Sequence, residues 1–178
     1  MKVHEDHKSK GKKLVRISLV VVSTSRFDEI QKELPSTDKT IPLVNKILKN
    51  SDSISLIHSE IIPDDQEYIK SSLNKLIENI SLDAIVFSGG TGITPKDLTY
   101  ETIEPLLEKK LAGFGEIFRY LSYKEIGSSA MLSRALAGTL KNKIVFLLPG
   151  SPNAVKLAFK ELILPELGHI TYLINKEE

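Results

Sequence analysis

A glycine-rich loop carries the strongest chemical signal in the sequence. Three glycines fall within four positions in Ser88-Gly89-Gly90-Thr91-Gly92, after a predicted strand and before a predicted helix. Glycine lets backbone N–H groups point into a concavity and lets a phosphate approach without meeting Cβ atoms. A tight strand-to-helix turn explains the same residues equally well, because the P-loop and Rossmann patterns are both absent. The loop by itself leaves a phosphate site and a structural turn as alternatives.

Two aspartates follow predicted strands. Asp64 stands after the second strand, in the segment IIPDD, and Asp97 follows the third strand and its glycine loop. The carboxyl ends of parallel strands share one edge, where such sheets bind ligands. Strands about 4.8 Å apart would place the carboxylates roughly 5 to 10 Å apart, which one Mg²⁺ with its waters and phosphates can span. The alternative is helix capping, by Asp64 or Asp65 and by Asp97 beside Thr99.

Two later segments offer further polar groups. Residues 148–153 again join a strand to a helix, where Gly150 and free N–H groups can hold a second phosphate or a purine edge. Ordinary helix initiation explains the Ser-Pro pair of this segment equally well. Residues 127–134 supply hydroxyls and one guanidinium, suitable for a terminal phosphate, although Arg134 suits a surface ion pair as well.

Alternating strands and helices must position these groups. Strands are predicted at Leu14 to Ser23, Ser53 to Ile62 and Ala84 to Ser88, and the nearly continuous apolar character of the first suits burial on both faces. Helices are predicted at Lys39 to Asn50 and Asp64 to Ile80, where apolar residues recur at helical spacing. The alternation predicts a three-layer α/β/α fold with a mostly parallel, doubly wound sheet.

The second half of the chain is predicted to add helices and a hairpin. Helices are expected at Leu98 to Lys110 and Phe114 to Tyr123, and a last helix begins at Ser151. Ala135 to Leu140 and Ile144 to Leu148 read as short strands with a three-residue connection, which forms an antiparallel edge hairpin.

Gly113 and Gly115 flank Phe114 at the start of the second of these helices. Each glycine costs a helix about 1 kcal/mol relative to alanine. We therefore expect another segment to pack closely against them.

Composition excludes several classes of protein. The 178 residues fit one domain over 14–178, and the net charge of +1 gives no footprint for nucleic acid or an anionic membrane. The lack of cysteine excludes disulfides and Cys-ligated zinc. No apolar run is long enough to span a bilayer. Residues 1–13 are polar and lack the apolar core of a signal peptide, so we expect a mobile tail and a cytoplasmic protein.

Five segments occur in a telling order: IPDD, SGGTGITPKDLTYE, GFGE, GSSAMLSRALAG and LPGSPNAV. Together they resemble the MogA/MoaB family of molybdopterin adenylyltransferases, which includes the gephyrin G domain, over roughly residues 14–170. The segment GFGEIFRYLSYKEIG is most similar to the MoaB branch. The resemblance implies a molybdopterin-binding-like fold and transfer of AMP from MgATP to molybdopterin, with release of pyrophosphate, in molybdenum or tungsten cofactor biosynthesis.

The resemblance also implies roles for individual residues. Asp64 and Asp97 match the two functional acids of the family and are assigned to catalysis and to Mg²⁺. The implied substrate-binding residues are Ser23, Gly89, Gly90, Thr91, Gly92, Ser129, Ser133, Gly150 and Asn153. Among these, the serines of GSSAMLSR are assigned to the terminal phosphate of the pterin, and the last two residues to the nucleotide.

The same resemblance implies an assembly and leaves two departures. Family members assemble as trimers or as paired trimers, so a homotrimer or hexamer is expected, with transient contact to other cofactor-synthesis enzymes. Thr40 stands where the family has glycine after a loop aspartate, and Ala112 where it has proline. The first departure is expected near the mouth of the substrate site.

Two other functions remain as alternatives. A pterin-binding carrier or scaffold would keep the pocket without turnover, although both acids are present. A CinA-type nucleotide pyrophosphatase would share the fold, but typically has paired acids where this chain has Lys96 and Asp97.

Overall fold

Six strands form one mixed sheet in the computed structural model, which describes residues 14–49 and 51–176. In chain order they are β1 (Val15–Val22), β2 (Ile54–Ile62), β3 (Ala84–Ser88), β4 (Lys109–Lys110), β5 (Leu136–Leu140) and β6 (Lys143–Leu148). Their order across the sheet is β2-β1-β3-β6-β5-β4. Strands β2, β1, β3 and β6 are parallel to one another. Strand β5 pairs antiparallel with both β6 and β4. The predicted doubly wound sheet with an antiparallel hairpin is confirmed.

Helices cover both faces of this sheet. They are α1 (Thr24–Gln31), α2 (Thr40–Leu48), α3 (Gln66–Ile77), α4 (Thr99–Ile103), α5 (Ala112–Ile126), α6 (Pro152–Ala158) and α7 (Leu164–Ile174). A π-helical turn, Phe159–Ile163, joins α6 to α7, and 3₁₀ segments follow α4 (Glu104–Leu106) and α5 (Gly127–Leu132). None of the helices in the described ranges has the length and apolar character that crossing a bilayer requires.

Each face of the sheet has its own core, because successive strand side chains point to opposite sides. Ile17, Leu19 and Val21 of β1 pack with α2, α5, α6 and α7 on one face. Val20 and Val22 of the same strand pack with α3 and α4 on the other. Both sets are buried, which explains the nearly continuous apolar sequence of β1. The predicted three-layer α/β/α architecture is therefore confirmed.

The prediction of one helix over Leu98 to Lys110 is wrong. Only Thr99–Ile103 is α-helical, and the chain then passes through the 3₁₀ segment into β4. Pro105 lacks the N–H that an α-helix would need at this point. The N–H groups of Glu108 and Leu111 instead donate to carbonyls of β5. Pairing between segments about thirty positions apart thus overrides the local helical pattern.

The hairpin turn is one residue shorter than predicted. Lys141 and Asn142 alone connect β5 to β6, with φ of 44° and 60°. Positive φ at both positions is typical of a type I′ turn, whose twist matches the flanking strands. Lys143, predicted to lie in the turn, is buried in β6 and donates from Nζ to the carbonyl oxygen of Leu82 at 2.9 Å.

Of the two glycines at the start of α5, only one is closely packed. A Cβ on Gly115 would overlap the carbonyl oxygen of Ala135, whereas a Cβ on Gly113 would have no neighbour within 4 Å. Phe114 and Phe118 pack on each other, and Phe114 packs on Phe146 of β6. The expectation of close packing is confirmed for Gly115 and wrong for Gly113 within the described chain.

The order of the strands creates a crevice at their carboxyl ends. From β1 the chain continues to β2 on one side, and from β2 it crosses over to β3 on the other side of β1. Loops that leave β1 and β3 therefore diverge, and such a switch point is where open α/β sheets bind ligands. The tail predicted over residues 1–13 lies outside the described residues.

Candidate functional site

A cleft of about 690 Å³ opens at this crevice. Loops after β1, β2, β3 and β6 form its floor, and α5 with the following 3₁₀ segment forms one wall. The predicted site residues that line it are Ser23, Asp64, Gly89, Gly90, Thr91, Gly92, Asp97, Ser129, Ser133 and Gly150. Residues from five separate segments are thus brought together. Four of these segments follow strands, whereas Ser129 and Ser133 precede β5.

The glycine loop lies at the centre of the cleft and requires glycine at its first two positions. Gly89 has φ of 112° and Gly90 has φ of 63°, which side chains with a Cβ rarely adopt. A Cβ on Gly89 would also overlap the carbonyl oxygen of Val22. The N–H of Gly89 donates to the carbonyl oxygen of Leu148 at 3.0 Å, so the loops after β3 and β6 are joined. The structural role and the predicted ligand role of this loop are therefore compatible.

Asp64 directs its carboxylate to the glycine loop and does not cap a helix. Oδ1 accepts the backbone N–H of Leu98 at 3.0 Å, and the backbone N–H of Asp64 donates to Oγ1 of Thr24. The adjacent Asp65 caps α3 by accepting N–H groups of Glu67 and Tyr68. Helix capping therefore applies to Asp65 only, and the carboxylate of Asp64 remains available to a ligand in the cleft.

The surroundings of Asp64 disfavour its negative charge. Burial raises its pKa above the ordinary value, and the charges of Asp97 and Glu101 raise it further, although the N–H of Leu98 opposes them. A cation beside the carboxylate would reverse this effect, because an opposite charge stabilises the ionised form.

Asp97 folds back onto its own loop. Its Oδ2 accepts the backbone N–H of Thr94 at 2.8 Å and the hydroxyl of the same residue at 2.6 Å. Burial raises the pKa of Asp97, but these bonds, the N–H of Gly92 and the charge of Arg134 outweigh burial and lower it. Helix α4 begins at Thr99 without a side-chain cap, so the predicted capping role for Asp97 is wrong. This carboxylate remains ionised at neutral pH.

The two carboxylates fit a Mg²⁺ that arrives with a phosphate ligand. A Cβ on Gly90 would lie 2.7 Å from Oδ2 of Asp64, and a Cβ on Gly92 would lie 2.7 Å from Oδ2 of Asp97, so the missing Cβ atoms keep space open beside both. Among the described residues, no cluster of three or more His, Cys, Asp or Glu side chains could hold a metal ion. Two hard oxygen ligands suit Mg²⁺, which keeps waters and substrate phosphates in its other positions.

Thr99 places an unsatisfied hydroxyl beside the same glycine. Its side chain is fully buried, and Oγ1 has no hydrogen-bond partner among the described residues. A Cβ on Gly90 would overlap this oxygen. The backbone N–H of Thr99 donates to the carbonyl oxygen of Gly90 at 2.9 Å, which fixes the start of α4 against the loop.

Arg134 binds the backbone of the glycine loop from outside the cleft. Nε donates to the carbonyl oxygen of Thr91 at 3.2 Å, and the guanidinium pairs with Glu101 and lies over the ring of Tyr100. It does not line the cleft. Of the two roles left open by the sequence, the ion pair is the one that the structure contains.

One predicted residue and one departure lie elsewhere. Asn153 faces a separate depression beside Lys156 and Lys160, and does not line the cleft, because α6 turns it away after Gly150. Thr40, expected near the mouth, is fully buried at the start of α2 and does not line the cleft either.

Three polar residues of the cleft lining come from the segment between β1 and β2, to which the sequence pattern assigned no role. Ser25 and Arg26 belong to the first turn of α1, and Thr37 belongs to the loop before α2. Residues 24–38 received no prediction. The spacing of Phe27 and Ile30 is the only helical pattern in this short polar segment. It is a weak indication of a helix, because α1 buries no residue fully.

This chain is similar to known proteins over most of its length. Residues 18–169 match the model of a family described as "Probable molybdopterin binding domain". Molybdenum cofactor biosynthesis protein B of Bacillus cereus is 43% identical over 173 residues, which are 97% of this chain and 98% of that protein.

Solved structures show the same similarity. A crystal structure of a molybdenum cofactor biosynthesis protein B has 44% identity and a TM-score of 0.83, covering 93% of this chain and 99% of that one. The tungsten cofactor synthesizing protein MoaB of Pyrococcus furiosus has 36% identity and a TM-score of 0.77, covering 92% and 99%.

Proposed function

This chain belongs to the molybdopterin-binding domain family, and from that premise we propose that it transfers AMP from MgATP to molybdopterin. The chain acts in molybdenum or tungsten cofactor biosynthesis, the process named for its relatives. In the proposed reaction an oxygen of the pterin phosphate forms a bond to the α-phosphorus of ATP. The bond from that phosphorus to the β-bridging oxygen breaks, and pyrophosphate leaves.

The observation that carries the proposal is the meeting of Asp64 and Asp97 at one glycine loop. Each carboxylate is held by backbone N–H groups of residues 94–98, so its position is set before a substrate arrives. The attacking phosphate is already anionic and needs no strong general base, so positioning and charge neutralisation dominate the rate. Mg²⁺ would be held by these two aspartates and would supply positive charge to the triphosphate.

Other residues of the cleft are assigned by their chemistry. We assign the backbone N–H groups of Gly90 and Thr91 to the phosphates, because the N–H of Gly92 already donates to Asp97, and Gly150 lines the same cleft from the loop after β6. The hydroxyls of Ser129 and Ser133 are available for the terminal phosphate of the pterin. These assignments rest on the lining of the cleft and on the chemistry of phosphate recognition.

The test is incubation of the protein with MgATP and molybdopterin, followed by measurement of pyrophosphate and of an AMP adduct. We expect both products only when Mg²⁺ and the pterin are present together, and slow ATP hydrolysis otherwise. Rapid ADP release without pterin would contradict the proposal. Tight pterin binding without pyrophosphate would support the carrier alternative, and AMP release without an adduct would support a pyrophosphatase.

A trimer or hexamer belongs to the same proposal. Ile117, Tyr120 and Tyr123 of α5 are each at least half exposed, and no described residue lies within 4 Å of the Cβ position of Gly113. A second copy of the chain would cover these apolar side chains.

A further inference from the structure

Arg26 is the only cationic side chain among the described residues that line the cleft. It lies in the first turn of α1, close to Ser23 and Ser25, and its side chain is 21% exposed. The acidic residues of the same lining are Asp64 and Asp97. A polyphosphate that enters this cleft therefore meets two carboxylates and a single guanidinium.

The guanidinium of Arg26 makes only one long ion-pair contact with the described residues. Its one ion-pair contact in the described chain joins Nη1 to Oδ1 of Asp38 at 3.7 Å, which is too long for a hydrogen bond. The carboxylate of Asp38 is already used, because it accepts the backbone N–H groups of Thr40 and Ile41 at 3.0 and 2.9 Å. The N–H donors of Arg26 remain available for a ligand, and Arg prefers bidentate phosphate.

The surroundings of Arg26 are fixed without a ligand. Glu29, one turn along α1, accepts the backbone N–H of Thr37 at 2.8 Å and its hydroxyl at 2.7 Å. Oγ1 of Thr24 accepts the backbone N–H of Asp64 at 3.1 Å. The turn that carries Arg26 is therefore tied both to the loop before α2 and to the loop of Asp64.

The position of Arg26 in the sheet order indicates which phosphate it meets. Arg26 follows β1, whereas Ser129 and Ser133 precede β5, with β3, its glycine loop and β6 between them. In-line transfer places the attacking and leaving oxygens on opposite sides of the α-phosphorus. If the serines hold the attacking pterin phosphate, the leaving group lies toward β1.

We infer that Arg26 binds the β- and γ-phosphates of the nucleotide and thereby stabilises the leaving pyrophosphate. This inference rests on the proposed function, because it assigns the phosphates of that reaction to opposite ends of the cleft. Arg26 contributes charge and two parallel N–H donors, while the pterin is held elsewhere.

Calorimetric titration with magnesium pyrophosphate and with AMP tests the inference. Arg26→Ala should weaken pyrophosphate binding at least about tenfold, as expected for lost hydrogen bonds to a charged group, and should change AMP affinity by less than about twofold. Arg26→Lys keeps the charge without the planar donor pair and should lose several-fold. Lys32→Ala removes a charge from the exposed end of the same helix, outside the cleft, and should bind both ligands like the wild type.

The outcomes separate this inference from the proposed function. Wild-type pyrophosphate affinity in Arg26→Ala, or equal loss of AMP and pyrophosphate affinity, overturns the role of Arg26 even if the wild type forms the adduct. If Arg26→Ala does not fold, as judged by its melting curve, unchanged pyrophosphate affinity in Arg26→Lys overturns it instead. Selective loss of pyrophosphate affinity in a protein that forms no adduct supports the inference and contradicts the proposed reaction. A wild type that binds no pyrophosphate overturns both.

Discussion

Neighbouring residues of the same type have different tasks in this chain. The carboxylate of Asp65 caps the N-terminus of α3, whereas the carboxylate of Asp64 lies beside Gly90 in the cleft. The difference follows from backbone direction, since only Asp65 precedes the first helical residue in extended conformation. Residue type and sequence position alone do not separate a cap from a ligand.

Asp97→Asn should lower turnover at least about a hundredfold while the fold is retained. The change removes one negative charge from an edge loop and no volume from the core, so the loss falls on the reaction and not on stability. Adduct formation per unit time measures it. Asp28→Asn, on the exposed side of α1, is the matched control and should turn over normally. A fully active Asp97→Asn protein would reduce this residue to a loop support.

Asp64→Asn should raise the melting temperature at neutral pH while it lowers activity. The pKa of Asp64 in the folded chain is raised by burial, so folding at neutral pH carries the cost of a disfavoured charge. The neutral amide removes that cost and keeps an oxygen for the N–H of Leu98. Thermal unfolding with and without the substitution measures the effect.

Asp65→Ala is the matched control for this experiment. It removes the cap of α3 and should cost about 1 kcal/mol of stability with activity retained. Loss of stability in Asp64→Asn would contradict the assigned cause of the pKa shift.

The pH dependence of kcat/KM for MgATP, which reports the free enzyme before Mg²⁺ binds, should end on the acid side at the raised pKa of Asp64. Protonation of this carboxyl removes a proposed ligand of Mg²⁺, and its pKa lies above the ordinary 3.8, whereas that of Asp97 lies below it. Activity should therefore fall as the pH drops through the pKa of Asp64, before Asp97 titrates. The same proton stabilises the folded chain, because the native state binds it more tightly than the unfolded state. A pH–rate profile whose acid limb moved to the ordinary value or below would contradict this order.

At the scale of elements, α5 shows how a helix is placed by one close approach. Gly115 allows the helix backbone to reach the carbonyl oxygen of Ala135, just before β5. This contact sets the wall of the cleft, since Phe118, Ser122 and Ile126 line it from the same helix. Phe118 is buried in the core of its own chain, so a subunit interface on this helix would use its exposed residues.

Gly115→Ala should destabilise the protein by about 1–3 kcal/mol, whereas Gly113→Ala should not. An alanine methyl at position 115 overlaps a backbone oxygen that cannot rotate away, and at position 113 it meets nothing within 4 Å. Denaturant unfolding of both variants at one protein concentration measures the difference. Equal stability of the two would show that α5 can shift without cost, and the cleft wall would then be adjustable.

At the scale of the whole molecule, the surface left by α5 carries the argument for assembly. Its exposed apolar residues are Ile117, Tyr120, Tyr123 and Ile126, and Met131 and Leu132 continue them in the 3₁₀ segment. A contiguous patch of exposed apolar side chains on a protein surface is typical of a site of interaction with another protein. Phe114 and Phe118 of the same helix face the opposite way, into the core.

Light scattering at micromolar concentration should give three or six times the chain mass of 19.8 kDa. Tyr120→Glu places a charge in the exposed strip and should reduce the mass toward that of one chain, while Tyr68→Glu, at another exposed aromatic position, should not. A wild type that scatters as a single chain would refute the assembly while leaving the cleft unaffected.

What the sequence determined by itself was local. The apolar strands, the Ser-Pro start of α6 and the presence of a glycine turn after β3 were predictable, because the residues that indicate each feature lie within a few positions of one another. The meeting of Asp64 with the loop before Asp97 was also predictable, because parallel strands share a carboxyl edge whatever their order. The motif resemblance supplied the pterin chemistry, which no periodicity contains.

Only the tertiary structure decided which side chains enter the cleft. Pairing with β5 turned a predicted helix into β4, and the direction of α6 took Asn153 away from Gly150 although they are three positions apart. Arg26 lines the cleft because α1 is tied to the loop of Asp64, forty positions along the chain. Such contacts depend on how whole elements pack, and the few residues around each position do not encode that packing.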